Sequence, residues 1–86
     1  MKKIVSVLRP FAMAQNIYVY EDGNKIDLVS ASMDSLETEI FALIEKYDIN
    51  QVELVGPKGY AKGIKKQIES AEMAKYNINK IEINLI

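Results

Sequence analysis

Asn16-Ile17-Tyr18-Val19-Tyr20-Glu21-Asp22-Gly23-Asn24-Lys25 is the stretch that decides the fold. Its first five residues alternate between β-forming apolar and polar or aromatic types, which is the period of a strand with two unlike faces. Asp22-Gly23 is a strong two-residue hairpin signal, because Gly23 and its neighbour tolerate the positive φ that such a turn needs. The return from Lys25 to Ala31 keeps β-type composition, so the pair reads as a hairpin.

Outward toward the N-terminus, Ile4 to Leu8 is short, β-branched and bounded by Pro10, which predicts a first strand. The segment from Arg9 to Gln15 has no period and reads as a connection. Toward the C-terminus, Ser32 and Asp34 are candidate N-caps, with Glu37 in capping-box spacing from Asp34. Leu36, Ile40, Leu43, Ile44 and Tyr47 recur on one helical face, predicting a helix from about Asp34 to about Tyr47. Gln51 to Val55 reads as a strand, and Gly56-Pro57-Lys58-Gly59 as a turn into a second helix with Ala61, Ile64, Ile68 and Ala71 inward. From Asn79 to Ile86 the chain alternates again, with Ile81, Ile83 and Leu85 on one side and Lys80, Glu82 and Asn84 on the other.

The order β-β-β-α-β-α-β in 86 residues leaves room for one core, so residues 1–86 read as a single α/β domain. Right-handed crossovers from the third strand to the fourth and from the fourth to the fifth give a five-stranded mixed sheet ordered 3-2-1-4-5. Both crossovers step the same way, which puts both helices on one face and leaves the other uncovered.

Composition narrows the function classes. Hydrophobic residues make up 49% and charged residues 27%, ordinary values for a folded domain. Eleven basic against twelve acidic residues give a net charge of −1, so no overall field attracts phosphate backbones or anionic membranes. The absence of cysteine and histidine removes disulfides, thiolate chemistry and the commonest metal ligand. No apolar run approaches the roughly 20 residues that cross a bilayer, and the expectation is a cytoplasmic protein with no membrane contact and no cofactor.

The element order resembles the minimal ribonuclease H-like motif. It is also similar to the related fold of two ribosomal protein families, one of the large subunit and one of the small-subunit platform. Asn16-Ile17-Tyr18-Val19-Tyr20 with Gly23-Asn24 and Ser30-Ala31-Ser32 resembles the hairpin of those ribosomal proteins, and Gly56-Pro57-Lys58-Gly59 with Ile64 resembles their turn before the second helix. The basic extensions with which such proteins grip RNA have no counterpart in this sequence. A nuclease resembling the ribonuclease H-like family would need a carboxylate on the first strand to hold divalent metal, and Lys2 to Leu8 has none. An actin-like phosphotransferase would need an acidic, glycine-containing turn after that strand, where Arg9-Pro10-Phe11 stands. The expectation is therefore a domain that is not an enzyme and holds no metal.

Three stretches carry the remaining functional readings. Gly56, Lys58, Gly59, Lys62, Lys65 and Lys66 place glycines and lysines at a strand-to-helix turn, where a helix N-terminus favours anions. The same residues also read as a turn-permitting glycine pair, a close-packed Gly63 and a solvated lysine face. Tyr18 and Tyr20 fall on the uncovered sheet face if Ile17 and Val19 face the helices, and there they either suit contact with another protein or lie flat across their own sheet. Carboxylates expected on that side, Asp27 and Glu53 or Glu82, disfavour nucleic acid. Phe11 and Met13 in the first connection either fold back over the open face, the favoured outcome, or project as anchors. Finally, the last strand with Lys80 and Glu82 is an edge with little protection, able to pair with a second chain. Together these predict a protein-interaction module, self-associating as a homodimer through the open face or this edge, with an anion- or nucleic-acid-binding accessory domain as the alternative.

Overall fold

The hairpin forms as its alternation requires. In a computed structural model, which describes residues 1–9, 11–70 and 80–85 (side chains at 69, 70 and 80–85 excepted), Gln15–Glu21 forms β2 and Asn24–Ala31 forms β3. Asp22 (φ 50°) and Gly23 (φ 84°) make the turn between them. Lys2–Val7 forms β1, antiparallel to β2 and parallel to β4 (Gln51–Gly56). The backbone of β5 (Lys80–Leu85) runs parallel to β4, and the sheet order is β3-β2-β1-β4-β5. Ala71, Asn79 and Ile86, with the side chains of Lys80 and Glu82, lie outside the described residues.

Register builds the core. Ile4 sits opposite Val19 and Val52, and Ser6 opposite Ile17 and Leu54, so all six share one face, and all six are buried. Over that face lie α1 (Leu36–Tyr47), through Leu36, Ile40, Leu43 and Ile44, and α2 (Lys58–Ser70), through Ala61, Ile64 and Ile68. Both helices thus cover the same side, and each fully buried Ile or Leu contributes about 2–3 kcal/mol of transfer free energy.

The entry to α1 differs in detail from the expected capping box. Ser32 Oγ accepts from the Ser35 N–H at 3.3 Å and caps a short 3-10 turn, Met33–Ser35, that leads into α1. Asp34 lies inside that turn rather than at its cap. The helix stops where Asp48 takes a left-handed conformation (φ 55°, ψ 53°) and its N–H returns to the Ile44 carbonyl. No described helix is long and apolar enough to cross a membrane.

Candidate interaction surfaces

Alternation places the other side chains of the central strands on the helix-free side. Val5 lies between Tyr18 and Glu53, Val7 between Asn16 and Val55, Lys3 opposite Tyr20, and Leu28 opposite Tyr18. No helix covers this face among the described residues. The two tyrosines are half-buried, their ring centroids 6.4 Å apart and tilted by 35°, and the Lys25 ammonium stands 5.7 Å over the Tyr18 ring. The Lys3 ammonium meets Glu53 Oε2 at 3.1 Å, cancelling charge across β1 and β4. Lys3, Val5, Tyr20, Gln51 and Glu53 wall part of a concavity of about 670 Å³ on this side. The described part of the face is therefore apolar and aromatic, with the Lys3–Glu53 ion pair set into it.

Asp27, expected among the tyrosines, stands on the opposite side. The β2–β3 register shifts between Val19, which faces Asp27, and Tyr20, which faces Lys25, leaving Ile26 as an extra residue. Asp27 consequently shares the helix side with Val19, where its Oδ2 accepts from the Tyr47 hydroxyl at 2.7 Å and its Oδ1 from the Leu28 N–H at 2.8 Å. The Tyr47 bond, then the Leu28 amide, hold its carboxyl below the ordinary 3.8, and Lys46 adds a smaller attraction. A depressed folded pKa stabilises the fold above the ordinary value, and that contribution is lost as pH falls through the lower, folded one. Tyr47→Phe should raise the Asp27 pKa toward 3.8, read by NMR titration of the carboxyl carbon, and the stability gap between the variant and the unmodified chain should close at the acid end. An unmoved Asp27 titration would show that the phenol bond carries none of this.

The connection from β1 to β2 does not fold over the open face. Phe11 is 101% and Met13 96% exposed, so both project into solvent. Gln15 explains this geometry. Its side chain is wholly buried, with Oε1 accepting from the Arg9 N–H and Nε2 donating to the Arg9 carbonyl at 2.8 Å. The Ala12 N–H also donates to the Arg9 carbonyl, at 3.1 Å. This clamp fixes the base of the loop and turns its tip away from the sheet. Sequence reasoning missed Gln15, although extending the inward series Val19, Ile17 by one period reaches it.

At the strand-to-helix turn, an atom in place of a Gly56 hydrogen would lie 2.8 Å from Leu8 Cβ and from the Leu8 carbonyl oxygen. The helix starts at Lys58, with the Ala61 N–H donating to the Pro57 carbonyl at 3.0 Å, so Gly59 is helical rather than part of the turn. Gly63 does not support close packing either: a Cβ on Gly59 or Gly63 would meet nothing within 4 Å. Lys58, Lys62 and Lys66 are exposed along the helix at spacings of four, and Lys65 is half-buried. The lysines therefore form a ridge along α2 instead of converging on its first turn. Lys80 and Glu82 take register positions opposite Gln51 and Glu53 on the edge strand. Among the described residues no group of three or more Asp, Glu, His or Cys side chains is placed to hold a metal ion.

A mixed sheet with two antiparallel steps, two parallel ones and both helices on one side is, at a coarse level, a ribonuclease H-like fold. Two solved structures are among those that the chain resembles. A Bacteroides thetaiotaomicron protein with an actin-like ATPase fold and unknown function matches at a TM-score of 0.69 and 17% identity, over 96% of this chain and 32% of its own. Archaeoglobus fulgidus Pelota matches at a TM-score of 0.57 and 15% identity, over 99% of this chain and 26% of its own. The chain thus spans about a third of the first protein and about a quarter of the second. At these identities the likeness is one of fold. No family model matches the chain, and no curated protein matches it.

Proposed function

We propose that this domain is a small non-enzymatic interaction module that presents its helix-free sheet face to another protein surface, a second copy of itself foremost. The observation that carries this reading is the run of Val5, Val7, Tyr18, Tyr20 and Leu28 on a face with no helix over it among the described residues. Aromatic and aliphatic area of this kind, with Glu53 already paired to Lys3, loses little by leaving water. A non-catalytic role draws support from β1, which offers lysine, valine and serine where a metal-dependent nuclease of this fold needs an acid. The anion-binding alternative rests on the lysine ridge of α2.

Sedimentation equilibrium at about 500 mM salt, where ionic contacts are screened to roughly 4 Å, tests the sheet face. The unmodified chain should self-associate, and Tyr18→Ala with Tyr20→Ala should weaken that association by about tenfold or more, the loss of one modest aromatic anchor. A strict monomer at high micromolar concentration in this salt would overturn self-association through the sheet.

A further inference from the structure

The two helices carry opposite charge. Asp34, Glu37, Glu39 and Glu45 belong to α1 and its entry turn, against a single Lys46, whereas Lys58, Lys62, Lys65 and Lys66 belong to α2, against a single Glu69. Although the helices share one face of the sheet, none of Asp34, Glu37, Glu39, Glu45, Lys58, Lys62 and Lys66 enters an ion pair among the described residues. The basic set is unfavourable alone, whereas Glu37 and Glu39 in the first turn of α1 suit its dipole. Lysines four apart repel one another, and Lys58 opposes the positive end of its helix dipole.

The outward surfaces are also bare. Gly59 and Gly63, four apart, leave α2 without side chains beside Lys62 and Lys66, and Thr38 and Ala42, four apart and exposed, do nearly the same on α1 beside Glu45. Small residues at such spacing let a facing helix approach to the short end of the usual 8–10 Å range.

We propose that a second copy docks on the helix layer, with its acidic α1 over the basic α2 and its α2 over this α1. Charge selects the symmetry. α1 and α2 each run back from the end of one strand to the start of the next parallel one, so they point the same way. A two-fold axis parallel to the helices stacks unlike helices, while one lying across them stacks like on like. The helices are about 18–20 Å long and about 10 Å wide, offering roughly 400 Å² per copy. That is about half of a standard interface, so the contact is weak and depends on its charges. It lies on the other side of the sheet from the tyrosines and stands independently of the sheet-face reading.

The test is a charge exchange read by sedimentation. One variant carries Lys58→Glu, Lys62→Glu and Lys66→Glu, and the other Glu37→Lys and Glu45→Lys; circular dichroism checks that both fold. At about 20 mM salt, where charges reach roughly 20 Å, the unmodified chain should associate through this layer, and each variant alone should lose that association about tenfold or more. The equimolar mixture should recover it as a heterodimer, since every helix then faces an opposite charge. Tyr18→Ala with Tyr20→Ala should keep the low-salt contact, which separates this surface from the sheet face. Loss of association in that tyrosine variant at low salt, a mixture no better than its parts, or an unmodified monomer at low salt that instead binds single-stranded RNA would each overturn the proposal.

Discussion

Gly56→Ala is expected to lower the free energy of unfolding by about 3 kcal/mol, near the upper end for a single substitution. The new methyl would sit 2.8 Å from Leu8 Cβ and the Leu8 carbonyl oxygen, and Gly56 holds a φ of 155° that side chains rarely adopt. Relief requires β1 and β4 to part at the point where the Leu8 N–H donates to the Val55 carbonyl at 2.8 Å. Overpacking of this sort costs about 1–3 kcal/mol before the backbone term is added. Urea unfolding measures it, with Gly59→Ala as control, because an added Cβ there meets nothing within 4 Å. Equal midpoints for the two variants would show that the end of β1 yields freely.

Gln15→Ala is expected to cost about 2–3 kcal/mol, the sum of a small cavity, an Arg9 N–H stripped of its partner and an Arg9 carbonyl left with the Ala12 N–H alone. Gln15→Leu separates the two parts. It restores volume but offers no hydrogen bond, so it should recover little of the loss if the Arg9 N–H and carbonyl are what matter. Amide exchange at Arg9 and Ala12 reads the clamp directly, and both amides should exchange faster in either variant. Full recovery of stability by leucine would reduce the clamp to a space-filling role.

The legible part of this fold is the part governed by period. Ile17 and Val19 pointing inward, the helix faces of Leu36 to Ile44 and of Ala61 to Ile68, and the β3-β2-β1-β4 order with both helices on one side all follow from alternation, helical spacing and crossover handedness. What the sequence did not reveal is governed by single contacts. Nothing in Asn24–Ala31 signals that Ile26 is the extra residue, because the register is fixed by how two strands meet, and Asp27 changes sides as a result. Phe11 and Met13 were expected to cover apolar surface, but the Gln15 clamp sets the loop direction, and hydrogen bonds at its base prevail over burial at its tip. Gly63 was expected against a neighbour, yet α2 meets the core through Ala61, Ile64 and Ile68 and turns its glycines the other way. The lysines were visible as a cluster. The role proposed for them rests on α1 beside them, and that neighbour is set by the tertiary structure.

The extra residue at Ile26 also bears on how the chain behaves when crowded, during synthesis or at high concentration. It lies on β3, an outermost strand, and it sets the two halves of that strand out of step by one residue. An incoming extended chain can match the donors and acceptors before the offset or after it, but a straight one cannot match both. One border of the sheet is therefore a poor template for fibril growth, with neither proline nor a covering helix needed to make it so.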